Sequence, residues 1–137
     1  MKKIALLLLI ITSGCQQQIE DKDLNLINGY WQILKVEDAN GNKKEYKINE
    51  IYDYFEIKNK VGFHKKVRWQ PAAKFLVNNA QENLQIIKKD NDYYLKFGSE
   101  NGNHVNKLKS LSEDNMTLES LEKVSFYYIK VNVNTPK

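Results

Sequence analysis

Cysteine is nearly absent from this chain. Cys15 is the only one in 137 residues, so no intrachain disulfide can form, and a domain outside the cytoplasm has to be held together by its core. Long apolar runs are missing too: the longest, residues 4–11, falls well short of the ~20 residues a membrane-crossing helix needs. Histidine is scarce. His64 and His104 stand far apart beside Lys or Asn, so both are expected at the surface and no metal site is read from them. Nor is there a strong charge of one sign. Two of the 21 basic residues, Lys2 and Lys3, lie in a removable leader, and the others nearly balance the 17 acidic ones. Such a balance nominates neither nucleic acid nor any other polyanion as a partner. The nucleophile elbow Gly-x-Ser-x-Gly is absent, as is a phosphate-cradling glycine loop before a helix, and nothing singles out a pair of carboxylates. No enzymatic activity and no cofactor are expected.

What is present begins with an address. Met1-Lys2-Lys3, the apolar run 4–11 and then Thr12-Ser13-Gly14-Cys15 form the positive start, short apolar stretch and small-residue junction of a secretory signal peptide. The placement of Cys15 after Ser13-Gly14 resembles the lipobox of bacterial lipoproteins, although Thr12 stands where Leu is usual. That resemblance implies removal of residues 1–14, attachment of a diacylglycerol bearing fatty acids such as palmitate to the Cys15 thiol, and anchoring in the membrane by the lipid alone. Gln16, in place of the Asp typical of inner-membrane retention, implies the outer membrane, with the domain on its periplasmic face or at the cell surface.

Residues 15–25 are polar, lack apolar periodicity and are expected to be a flexible tether. From residue 26 to 134 the character changes to an antiparallel all-β domain. Short stretches of aromatic and β-branched residues alternate with clusters of Asn, Asp and Gly. Strands are expected over 30–37, 51–57, 62–69, 74–78, 84–89, 93–97, 105–111, 116–121 and 124–133. Asn40-Gly41 marks one turn and Asp90-Asn91-Asp92 another, and Pro71 should end a strand or lie at an edge. About eight to ten short strands in about 110 residues are enough to close a small barrel.

Three segments carry a family likeness. Gly29-Tyr30-Trp31 opens the first strand; Tyr54-Phe55-Glu56-Ile57 is followed by Gly62-Phe63; and Leu111-Ser112-Glu113-Asp114-Asn115-Met116-Thr117-Leu118 is followed by Phe126-Tyr127-Tyr128. In order and spacing they resemble the lipocalins and the lipocalin-like lipoproteins of bacteria. The resemblance implies an up-and-down β-barrel, complete or partly open, that binds a small apolar ligand or an envelope component. It also implies that Gly29 and Trp31 are structural, the Trp closing one end. The arginine that stacks on this Trp in lipocalins has no counterpart here, and Lys130 is the nearest cation. The alternative reading is a protein-interaction or immunity-type β-domain without a cavity, its partner another envelope protein.

Candidate ligand contacts come from strand alternation. Folding 51–57 against 62–69 about a turn centred on Asn59-Lys60-Val61 sets Glu56 opposite His64, Tyr54 opposite Lys66 and Tyr52 opposite Arg68 on an exposed charged face. The other face then carries Ile51, Phe55 and Ile57 with Phe63, Val67 and Trp69, interrupted only by Asp53 and Lys65. Asp53, Phe55, Phe63, Lys65 and Trp69 are therefore the expected ligand-binding set. In it an Asp53–Lys65 pair orients a polar group inside the barrel or at its mouth.

Overall fold

Alternating side chains and tight polar turns dictate a meander, and a meander of sufficient width can close on itself. The computed structural model describes residues 18–47, 51–68, 76–99 and 102–132. Within these, nine strands form one antiparallel sheet: β1 (Gly29–Glu37), β2 (Lys43–Glu45), β3 (Ile51–Lys58), β4 (Val61–Arg68), β5 (Leu76–Lys89), β6 (Asp92–Ser99), β7 (Gly102–Leu111), β8 (Asn115–Ser120) and β9 (Ser125–Val131). Each strand from β3 to β9 pairs with its chain neighbour, β3 pairs with β1, and β9 returns to β1. The barrel is closed, with eight strands in the ring, and the short exposed β2 is added beside β1. Closure removes the sheet edges that a partly open barrel would leave.

Strand β5 is longer than expected. The polar residues 79–83 interrupt the apolar pattern, so the sequence suggests two strands. The ladder nevertheless runs through 14 residues, because β4 pairs along most of its length and β6 along its second half. Gln81 and Asn83 are exposed to solvent, and the backbone bonds continue regardless of them.

The turn between β3 and β4 decides which residues face inward. It contains two residues, Asn59 and Lys60, both at positive φ (53° and 66°), the conformation whose twist suits a two-residue hairpin. Phe55 therefore lies opposite His64, Tyr54 opposite Lys65 and Asp53 opposite Lys66. This register is one residue away from the expected one and turns all of β4 over. His64 faces the interior with Asp53 and Phe55. Lys65 lies outside with Tyr54 and Phe63, its Nζ 5.3 Å from each of those ring centres. The expected Asp53–Lys65 pair is not formed.

One end of the barrel is plugged. Asp21–Ile27 is a 3-10 helix, held at its start by a bond from the Glu20 amide to the Asp23 carboxylate (2.9 Å). Leu24 and Ile27, three residues apart and so eclipsed in this helix, are both buried. The folded part thus begins inside the stretch expected to be a tether. Below the plug, Trp31 is fully buried and donates from its indole nitrogen to the Ile27 carbonyl (2.8 Å). Lys130 lies 4.6 Å above the Trp31 ring and donates to the carbonyl oxygens of Leu26 (2.9 Å) and Asn28. A lysine thus fills the place of the missing arginine. It crosses directly over Gly29, where a Cβ would come within 3.0 Å of its side chain and where φ is +123°, so glycine is required there twice over. The Asn28 side chain brackets the Ile57 backbone, and Tyr93 donates to Asp21.

Candidate functional site

At the opposite end the side chains leave a cavity of about 570 Å³, within the usual range for small-molecule pockets. Its apolar wall comes from Phe55 on β3, Phe97 on β6, Leu118 on β8, and Phe126 and Tyr128 on β9. Each is an inward position of its strand, so alternation alone brings these five together.

The polar wall is built from three adjacent strands. His64 sits between two carboxylates, with Nε2 2.8 Å from Asp53 Oδ1 and Nδ1 3.0 Å from Glu82 Oε2. The His64 and Asp53 side chains are about nine-tenths buried, and that of Glu82 is 27% exposed. The His64 ring packs 4.6 Å from Phe55 and edge-on to Phe97 at 5.6 Å, which fixes its plane. The trio therefore sets two carboxylates against one imidazole, with both ring nitrogens engaged.

Two further side chains shape the mouth. The His104 imidazole stacks on Phe97, with centroids 4.6 Å apart and planes 12° apart. Tyr128 packs edge-on to Phe55, and burial, followed by the Asp53 carboxylate and Tyr46, holds its hydroxyl well above the ordinary phenol range. No group among the described residues hydrogen-bonds that hydroxyl.

Of the expected ligand-binding residues, Asp53 and Phe55 line this cavity. Phe63 and Lys65 lie on the outer face, and Trp69 and Cys15 fall outside the described residues. The residues that sequence reasoning missed are His64, Glu82 and His104. His64, expected at the surface, is largely buried beside the cavity, while His104 is exposed as expected and lies at the cavity's edge. The signal for Glu82 was available: it lies two and four residues before Leu84 and Ile86, whose alternation points inward. The signal for His64 depended on a one-residue choice of turn. Among the described residues no group of three or more His, Cys, Asp or Glu is arranged to hold a metal ion. The two carboxylates occupy opposite nitrogens of His64, so the trio cannot converge on one centre.

The architecture has counterparts among solved structures. A lipocalin-like protein from Bacteroides uniformis superposes with a TM-score of 0.50 at 13% sequence identity, covering 77% of this chain and 99% of that one. A Bacteroides eggerthii protein described as uncharacterized superposes with a TM-score of 0.49 at 12% identity, over 76% and 98% of the respective chains. No family model and no curated protein matches the chain. The fold is a lipocalin-like barrel, and at these identities the likeness extends to the fold alone.

Proposed function

We propose that this barrel is a lipid-anchored binding protein of the cell envelope, tethered through Cys15 at the outer membrane and receiving a small, largely apolar molecule in its open end. The observation that carries the reading is the aromatic-walled cavity of about 570 Å³. A domain serving only as a protein-contact surface would gain stability by filling such a space with side chains, since an unfilled apolar volume forfeits packing. The plugged opposite end supports the same reading, because it leaves a single mouth. Anchoring rests on the leader and the Ser13-Gly14-Cys15 junction.

The test is native mass spectrometry of the protein purified from its own envelope. A retained small molecule, lost on mild unfolding, is the expected result, together with a mature N-terminus at acylated Cys15. A protein that carries no adduct and binds no member of a small-molecule panel would remove the ligand reading. Retention of a Cys15→Ser variant in the membrane at normal mature size would remove the anchor.

A further inference from the structure

The charged groups at the cavity mouth say which kind of head group it accepts. We infer that the ligand is an amphiphile with a cationic head, an organic amine, and not a carboxylate such as a fatty acid; this rests on the cavity being the ligand site. Seven charged or titratable side chains face the space: Asp53, His64, Lys66, Glu82, His104, Glu122 and Tyr128. The Asp53–His64–Glu82 trio holds two carboxylates to one imidazole, Glu122 adds a third carboxylate, and exposed Lys66 is the one lysine of the lining. An incoming carboxylate would add a fourth acidic group to a partly desolvated space, whereas an ammonium offsets one.

Hydrogen-bond supply points the same way. Both nitrogens of His64 are engaged by carboxylates, so its ring has no donor left for a ligand. The carboxylates of Asp53 and Glu82 each spend one oxygen on His64 and retain further acceptor capacity. The buried polar wall formed by Asp53 and Glu82 thus offers acceptors, which suit a head group that brings hydrogens. Beneath it Phe97 and Tyr128 pack edge-on to Phe55, an apolar wall for the tail of an amphiphile. The Tyr128 hydroxyl adds a polar group to the cavity lining.

The experiment titrates the full-length chain by calorimetry at pH 7 with three ligands of one skeleton: 4-phenylbutylamine, 4-phenylbutanol and 4-phenylbutanoate. The amine should bind at least about tenfold more tightly than the carboxylate, with the alcohol between, and the ratio should shrink as salt is raised. Glu122→Gln, an exposed change in the β8–β9 turn, should lower the amine-to-carboxylate ratio. Equal binding of amine and carboxylate, or preference for the carboxylate, would overturn the inference and leave the cavity reading intact. Binding of none of the three at millimolar concentration would overturn both.

Discussion

The two ends of this barrel use the same kinds of residue for opposite purposes. At the plugged end an aromatic ring, a cation and backbone carbonyls satisfy one another: Trp31 bonds to Ile27, and Lys130 lies on Trp31 while bonding Leu26 and Asn28. At the open end an aromatic cluster surrounds His64 and two carboxylates, and beside them remain an unfilled volume and a tyrosine hydroxyl without a partner among the described residues. Complete satisfaction is what a structural plug requires, because a buried polar group without a partner costs free energy. Incomplete satisfaction is what a binding site requires, because the ligand has to supply the missing half.

Substitutions at the two ends should therefore separate stability from binding, and Trp31→Ala should give the largest effect. Its side chain is fully buried at the plug, and truncation of a buried Trp typically costs about 3–5 kcal/mol. Urea denaturation should show this loss, while the folded fraction keeps its ligand preference; a variant that melts normally but loses uptake would reverse the assignment of the two ends. Lys130→Met comes next. It leaves the Leu26 and Asn28 carbonyls without their ammonium donor, for a loss of about 1–3 kcal/mol with binding unchanged.

Asp53→Ala should combine a comparable or slightly smaller stability loss, about 1–2 kcal/mol, with a clear change in binding, since it unpairs buried His64 inside the cavity wall. Paired with His64→Phe, it should show non-additivity in a double-mutant cycle. Paired with Lys65→Met, it should be additive, because Lys65 lies on the outer face. Coupling to Lys65 in place of His64 would mean that the β3–β4 register is wrong.

The smallest effect concerns pH at the plug. Tyr93 is pushed up to about 12, first by its hydrogen bond to Asp21 and then by burial, and the same bond holds Asp21 below its ordinary value of 3.8. The raised tyrosine contributes stability in full below pH 10, and this contribution is lost as pH climbs through about 12. The depressed aspartate contributes above its ordinary value and loses its contribution as pH falls through the lowered one. The melting-temperature difference between the native chain and Tyr93→Phe should therefore be flat from pH 5 to 9 and shrink at both extremes. A difference independent of pH would show that the contact is not made in solution.

Much of this molecule is legible from local chemistry. Period-two alternation and Asn, Asp and Gly clusters determine the strands and turns, since each depends on a few neighbouring residues. The Gly29-Tyr30-Trp31 opening marks the plugged end for the same reason: a glycine at positive φ and a large apolar ring are visible one residue at a time. The polar 79–83 stretch misleads because strand continuity depends on partners in β4 and β6 and only weakly on its own side chains.

The site was decided elsewhere. Whether the β3–β4 turn holds two residues or three shifts β4 by one position, and that single step moves His64 in and Lys65 out. Glu82 meets His64 only because β5 pairs with β4, and the cavity exists only because β9 closes onto β1. By itself the sequence determines which residues form strands and which face alternates with which, because these are short-range properties of the backbone. Tertiary structure alone selects which face is the inside and which charges meet there, because register and closure are settled by hydrogen bonds between segments far apart in the chain.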